Sequence, residues 1–222
     1  MTFDIEQYGS PFARVLLVQM VDDHDHDTIR HEVDLIKDLS GGQEFCLKTV
    51  SVNSWNNDLS LWPAPAVFGS ADFGDGAPAT LDFVLKEVLK ENSSSGDRKI
   101  IILGGYSLAG LFALWAGTRT DCFDGIAAVS PSVWFPRFTD YLKENEYHAD
   151  TVYLSLGDRE EKTRNPVMAQ VGNAIRECHA HLTAKGKDCV LEWNQGNHFR
   201  EPDLRMAKAY AWVMRHTHKS IS

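Results

Sequence analysis

The feature that most constrains the fold of this chain is a strand, a sharp turn and a helix between residues 99 and 116. An apolar, isoleucine-rich run at 99–103 predicts a buried strand, and the small apolar residues of 111–116 favour a helix. The connection 104–110 reads Gly-Gly-Tyr-Ser-Leu-Ala-Gly. The positions two before and two after Ser107 are glycine and alanine, as a turn with little room for side chains requires. The segment therefore predicts a strand-turn-helix unit with a serine at its tip.

This layout is typical of the nucleophile elbow of serine hydrolases. A tight turn lifts the serine Oγ clear of the sheet, and the first N–H groups of the following helix point to where an oxyanion would form. Ser107 is therefore a candidate nucleophile and the N–H of Leu108 a candidate oxyanion donor. By position, a second donor is expected near Val21, after the first predicted strand. The alternative interpretation is structural, namely a buried strand that ends in a glycine-rich turn.

Strand-like and helix-like runs alternate along the rest of the chain. Strands are predicted at 14–20, 45–52, 99–104, 125–130, 152–156 and 190–193, and helices at 27–39, 80–92, 111–118, 166–184 and 203–217. Strands this apolar are typical of a parallel sheet covered on both faces. We therefore predict one α/β domain over residues 1–222, with three layers and a compact, mainly parallel sheet of about six strands. The segment 131–148 is predicted to form a small flap.

A serine nucleophile needs a base and an acid that orients the base, in the chain order serine, acid, histidine for this architecture. His198 follows the last predicted strand, so it lies at the same sheet edge as the elbow. The other histidines fall in helices, in the C-terminal tail or at the wrong end of a strand. Three carboxylates follow the fifth predicted strand, and Asp158 and Glu160 are the stronger candidates, with Glu161 the weakest. Position alone leaves the choice open.

Aromatic residues near these positions are candidates for the substrate pocket. The segment 53–78 has little periodicity, and long loops inside compact domains are more often functional than idle. We expect Trp55 from this loop, Trp134 after the fourth predicted strand, and Tyr106 beside the serine to contact the substrate. Core packing is the alternative for the tryptophans.

The loop 22–27 reads Asp-Asp-His-Asp-His-Asp, and its side chains include the metal-capable His24 and His26. Its spacing matches neither a zinc signature nor a calcium loop with a central glycine. We interpret it as an acidic turn that caps the first helix through Asp25 or Asp27, and we predict no metal site.

Composition and charge narrow the classes of function. The 222 residues include 22 basic and 31 acidic side chains, a formal net charge of −9. This balance disfavours nucleic acid or an anionic membrane as the main partner. The four cysteines show no close-paired metal spacing and are interpreted as reduced thiols. The first residues lack the pattern of a signal peptide and no apolar run could span a bilayer, so a cytoplasmic protein is expected.

With these residues assembled, the chain resembles the α/β-hydrolase superfamily, and more narrowly the esterase group of the siderophore esterases and esterase D. Four stretches carry the resemblance: residues 105–114 at the elbow, 129–134 (Val-Ser-Pro-Ser-Val-Trp), 157–160 (Gly-Asp-Arg-Glu) and 196–198 (Gly-Asn-His). The resemblance implies an α/β-hydrolase fold, a serine esterase activity without a cofactor, and a glutamate as the acid. It therefore favours Glu160 over Asp158.

The resulting expectation is a serine hydrolase that cleaves a small-molecule carboxylic ester through an acyl-enzyme intermediate. A thioesterase or an acyl transferase would use the same three residues, and a non-catalytic binding module on a hydrolase fold is the alternative from a different class. The chain is short, with little room for the basic residues that would hold a triscatecholate anion, which favours a simpler ester over a siderophore. The sequence leaves the oligomeric state open.

Overall fold

The fold is built on a seven-stranded sheet. The computed structural model describes residues 2–22, 25, 27–90 and 98–217. Its strands are β1 (Asp4–Gly9), β2 (Val15–Val21), β3 (Cys46–Ser51), β4 (Ile100–Tyr106), β5 (Gly125–Val129), β6 (Thr151–Gly157) and β7 (Asp188–Asn194). They lie side by side in the order β1-β3-β2-β4-β5-β6-β7. β1 is antiparallel to β3, and every other neighbouring pair is parallel.

The sheet has one strand more than the sequence analysis predicted. The additional strand, β1, has the polar sequence Asp-Ile-Glu-Gln-Tyr-Gly and is largely exposed at the sheet edge. It therefore carries no hydrophobic signal, and its place depends on backbone pairing with β3. The central strands β2, β5 and β6 are buried at every position, as parallel strands with both faces covered must be.

Helices cover both faces of the sheet and complete the predicted three layers. They are α1 (Ile29–Leu39), α2 (Trp55–Asp58), α3 (Ala77–Phe83), α4 (Leu108–Ala116), α5 (Phe138–Glu144), α6 (Val171–Ala184) and α7 (Pro202–Thr217). Side chains of one strand alternate between the faces. Leu17 of β2 packs with Ile36 of α1 and Tyr210 of α7, whereas Leu16 belongs to the larger cluster that includes Leu111 of α4.

The first helix begins without the predicted carboxylate cap. Its N-cap is Thr28, whose side chain makes no capping hydrogen bond, rather than Asp25 or Asp27. The Asp25 carboxylate instead accepts a hydrogen bond from the N–H of Asp22 at 3.0 Å. Two of the residues considered for a metal, at positions 24 and 26, lie outside the described residues. Within the described ranges, no group of three His, Cys, Asp or Glu side chains could hold a metal ion.

Two further segments differ from their predictions. The helix predicted at 80–92 starts earlier, as α3, and continues as a π-helical turn over Val84–Val88; its predicted end falls among residues 91–97, which are outside the described residues. The segment 131–148, predicted as a flap, contains α5, and its residues Phe135, Phe138 and Leu142 are buried in the main core. It therefore packs as part of the domain. Among the described helices, none is long and apolar enough to cross a membrane.

Candidate active site

Ser107 occupies the sharp turn between β4 and α4, in a strained backbone conformation. Its φ is 59° and its ψ is −120°, a combination that non-glycine residues rarely adopt and that is typical of functional turns. The Ser107 N–H donates to the carbonyl of Val129, the last residue of β5, at 3.0 Å, which joins the turn to the neighbouring strand. A Cβ at Gly105 would lie 2.4 Å from the carbonyl carbon of Ala109. Glycine is therefore required at this position, as the turn predicted.

His198 lies between Ser107 and Glu160 and contacts both. Its Nε2 is 3.0 Å from the Ser107 Oγ, and its Nδ1 is 2.7 Å from the Glu160 Oε2. Because an ionised carboxylate can only accept, Nδ1 carries the proton and Nε2 is left to accept the serine hydroxyl proton. The loops after β4, β6 and β7 supply these residues, since parallel strands end at one edge of the sheet. The three side chains thus form a connected chain of serine, histidine and glutamate.

Glu160 is buried yet held in its ionised form by its surroundings. Burial raises the pKa of the Glu160 carboxyl, but hydrogen bonds and the charge of His198 outweigh it, with further bonds from Ser130 and the Gly157 N–H, so the pKa lies below its ordinary value. Its Oε1 accepts from the Ser130 Oγ and the Gly157 N–H, each at 2.7 Å, and from Arg205 at 3.2 Å. The carboxylate is therefore fixed in position on the Nδ1 side of the imidazole.

Asp158, the other candidate acid, has a different role in the structure. Its Oδ1 accepts a hydrogen bond from the Gly196 N–H at 2.8 Å, and its own N–H donates to the Asn194 carbonyl at 2.8 Å. It joins the loop after β6 to the loop after β7. Glu161 forms an ion pair with Arg176 at 2.9 Å. Of the three carboxylates after the fifth predicted strand, Glu160 is thus the one that contacts the histidine.

Arg205 is a central residue of the site that the sequence analysis missed. It lies in the first turns of α7 and is only 2% exposed. Its Nη1 donates to Glu160, Ser130 and Tyr106, and its Nη2 donates to the carbonyls of Gln195 and Asn197 at 3.2 and 3.1 Å. One guanidinium therefore holds both the acid and the loop that carries the histidine.

Tyr106 is placed differently from the prediction. It does not line the cavity beside Ser107, but packs against the core layer formed with α7. Its hydroxyl donates to the His198 carbonyl at 2.6 Å and accepts from Arg205 at 3.2 Å. Burial raises the pKa of the Tyr106 hydroxyl, so it remains a neutral donor. Side chains alternate along β4, and this one faces away from the cavity in which the substrate contact was expected.

A cavity of about 540 Å³ opens beside Ser107 and His198, a size typical of small-molecule sites. Trp55 and Trp134, the two tryptophans expected to contact the substrate, line it. The other lining residues are Phe68, Ser130, Ser132, Arg159, Glu160, Lys162, Thr163, Met168, Val171, Asn197 and Phe199. Its surface is largely apolar and aromatic. The Asn165 side chain donates to the Val67 carbonyl at 2.7 Å, which joins the loop after β6 to the loop before α3.

The candidate oxyanion donors lie at the same edge of the sheet. Leu108 is the first residue of α4, so its N–H has no acceptor within the helix and lies at the positive end of the helix dipole. Val21 is the last residue of β2, which is the neighbour of β4. A second hydroxyl, that of Ser132, lies 3.4 Å from the Ser107 Oγ. The donor near Val21 stays a prediction from position.

Comparisons with known proteins identify the fold. No protein-family model matches the sequence, and no curated protein sequence matches it. Among solved structures, the siderophore hydrolase EstA from Aspergillus nidulans is similar with a TM-score of 0.71 and 18% identity, over 98% of this chain and 90% of that chain. The siderophore hydrolase EstB from the same organism has a TM-score of 0.69 and 17% identity, over 94% and 89%.

An IroE-like serine hydrolase from Shewanella oneidensis is similar with a TM-score of 0.67 and 17% identity, over 100% of this chain and 81% of that chain. At such low identities, the likeness speaks for the fold. The resemblance to siderophore esterases stated from the sequence is thus confirmed at the level of structure, and the chain has the α/β-hydrolase fold.

Proposed function

We propose that this chain is a serine carboxylesterase that acts through Ser107, His198 and Glu160. The observation that carries the proposal is the unbroken hydrogen-bonded series from the Ser107 Oγ through both nitrogens of His198 to the Glu160 carboxylate. The series ends at the wall of an apolar cavity of about 540 Å³. A structural serine has no need of a strained backbone, an aligned imidazole and a buried carboxylate together.

The proposed reaction begins when the Ser107 Oγ attacks the acyl carbon and its proton passes to the His198 Nε2. The N–H of Leu108 stabilises the developing oxyanion, a contribution of roughly 10²–10³ in kcat for one donor. The bond to the alcohol oxygen breaks as His198 returns the proton to that oxygen. Water then attacks the acyl-enzyme and gives its proton to His198, which passes it back to Ser107 as the carboxylic acid leaves. No cofactor takes part in these steps.

The alternatives predicted from the sequence differ in the acyl donor or acceptor. A thioesterase would attack a thioester with the same residues, and an acyl transferase would deliver the acyl group to an alcohol other than water. The neighbours named as siderophore hydrolases add siderophore esters to the substrates to be tested. A binding module would form no acyl-enzyme at all.

The test is covalent labelling with a fluorophosphonate together with turnover of p-nitrophenyl butyrate. We expect the wild type to be labelled at Ser107. The variant Ser107→Ala should not be labelled, and its kcat should be lower by roughly 10⁶. Ser132→Ala is the matched control, since the Ser132 hydroxyl lies 3.4 Å from the Ser107 Oγ and the label should still be found at Ser107. Labelling at Ser132, or full turnover by Ser107→Ala, would reject the proposal.

Parallel assays separate the alternatives. Thioesters and esters of matched acyl chains are compared by kcat/KM, and added alcohols report acyl transfer by diverting product from the acid to a new ester. We expect esters to be preferred and water to be the main acceptor. Turnover mainly to transfer product would reassign the chain as an acyl transferase.

A further inference from the structure

Two cations lie in the wall of the cavity on the side of the acid and the histidine. Arg159 and Lys162 both line the cavity, one directly before Glu160 and the other in the short 3₁₀ turn that Glu160 begins. The Arg159 N–H donates to the Gly196 carbonyl at 3.1 Å. The backbone that carries these cations is thus joined to the loop that carries the histidine.

Three other arginines near this site have carboxylate partners. Arg176 pairs with Glu161, Arg200 with Glu201, and Arg205 with Glu160. Among the described residues, neither cation of the cavity wall has a carboxylate within ion-pair distance. Arg176 donates hydrogen bonds to both carboxylate oxygens of Glu161, and these bonds are the main cause that lowers the pKa of the Glu161 carboxyl. The charge of Lys162 lowers the same pKa to a smaller extent.

The described side chains of the cavity wall do not neutralise these two cations. Within the described part of the chain, the one carboxylate in the cavity wall is that of Glu160. Both of its oxygens are already engaged, Oε2 by His198 and Oε1 by three donors. The wall is therefore locally positive in a chain whose formal net charge is −9. Such a reversal of sign at a cavity attracts an anionic ligand.

The position of the cations indicates which half of an ester would carry the anion. For catalysis, the leaving oxygen must lie within reach of the His198 Nε2. Arg159 and Lys162 flank Glu160, whose carboxylate bonds to that same imidazole. The aromatic residues Trp55, at the start of α2, and Trp134, in the loop after β5, belong to other segments and leave the acyl group an apolar wall.

We propose that the substrate of this site is an ester with an apolar acyl group and an anionic alcohol half, whose carboxylate or equivalent anion binds Arg159 and Lys162. This inference rests on the ester hydrolysis proposed above and specifies its substrate class. The overall negative charge of the chain disfavours an anion, so a preference for one reports the local cations.

The experiment compares two esters of the same shape, 4-carboxyphenyl butanoate and 4-carbamoylphenyl butanoate. Each kcat/KM is divided by the rate constant for hydroxide-catalysed hydrolysis of the same ester, which corrects for the leaving group. At low salt we expect the carboxylate ester to be preferred by roughly tenfold, mainly through KM. The preference should fall toward a few-fold in 0.5 M salt, because the cavity mouth is open to solvent and about 0.5 M salt screens such charges.

Charge-neutralising variants assign the preference to these residues. The double variant Arg159→Gln with Lys162→Gln is expected to bring the ratio of the two esters close to one. Lys37→Gln, which removes an exposed cation in the last turn of α1, is the control and should keep the wild-type ratio. A wild-type ratio of one or less, or a preference that survives in the double variant, would overturn the inference while the esterase assignment stands. Failure of both esters, together with no fluorophosphonate label, would overturn the assignment itself.

Discussion

Replacing Arg205 by methionine tests how the site is held together. The side chain of methionine fills much of the same space but makes none of the five hydrogen bonds that the guanidinium donates. Glu160 would keep its bonds from Ser130, the Gly157 N–H and His198. Glu160 would thus remain in contact with His198. The bonds that are not replaced are mainly those to the carbonyls of the loop that carries His198.

The expected magnitude follows from burial. Removing one partner of a buried ion pair costs about 3–5 kcal/mol. For a domain of this size each kcal/mol corresponds to about 2–4 °C in Tm, so the loss is roughly 6–20 °C. A displacement of the histidine by about 1 Å costs roughly 10²-fold in kcat, and we expect a fall of about 10–10². KM for a small ester should change little, because Arg205 does not line the cavity.

The assay is turnover of p-nitrophenyl butyrate well below the Tm of the variant, with circular dichroism to verify that it is folded. Arg215→Met is the matched control, since this exposed arginine of α7 donates only to the Leu39 carbonyl among the described residues, and it should retain kcat and most of its stability. Arg205→Lys keeps the charge with fewer bonds and should fall between the two. A variant Arg205→Met with wild-type kcat and Tm would refute the reasoning.

Three further predictions concern single side chains. Glu160→Gln should lower kcat by roughly 10²–10⁴ and Asp158→Asn much less, whereas the reverse order in steady-state kinetics would make Asp158 the acid. Tyr106→Phe removes the hydroxyl bonded to the His198 carbonyl, so kcat should fall several-fold with KM nearly unchanged. An effect on KM alone would indicate that Tyr106 contacts the substrate. Glu32 is buried, and burial raises the pKa of its carboxyl. Because the folded state then binds its proton more tightly than the unfolded state, stability falls as pH rises from the unfolded pKa toward the raised one. Glu32→Gln should therefore raise Tm at pH 8 by roughly 2–8 °C, about 1–2 kcal/mol, and thermal melts between pH 5 and 8 that show no such gain would contradict this.

The site residues that could be predicted from the sequence lie in short stretches whose own residue pattern indicates their structure. The elbow around Ser107 combines an apolar strand, small residues and a helix within eighteen positions, 99–116. His198 follows the last strand, and the order of strands brings it to the same edge. Glu160 was favoured over Asp158 by resemblance, since both follow β6 and only their hydrogen bonds distinguish them.

The parts that were missed depend on contacts between distant segments. In the sequence of α7, Arg205 looks like an ordinary surface arginine of an amphipathic helix. It is buried because α7 packs against β4, β5 and β6, which places the guanidinium among the loops after β6 and β7. β1 has polar residues and is specified by pairing with β3, which no pattern within the strand records. The bond from Tyr106 to the His198 carbonyl was missed because closeness in sequence to Ser107 does not reveal which face of β4 a side chain occupies.

The location of Arg205 also sets the order in which the site can assemble during folding. The acid and the base are joined to a guanidinium on α7, which follows every other described element in the chain. On a growing polypeptide the serine turn can form once β4 and β5 have paired, but the histidine loop lacks its two bonds from Arg205 until the last helix docks. An early folding intermediate would therefore hold a shaped serine turn without a competent base. The proposed hydrolytic activity would then report the completion of folding rather than the formation of the sheet.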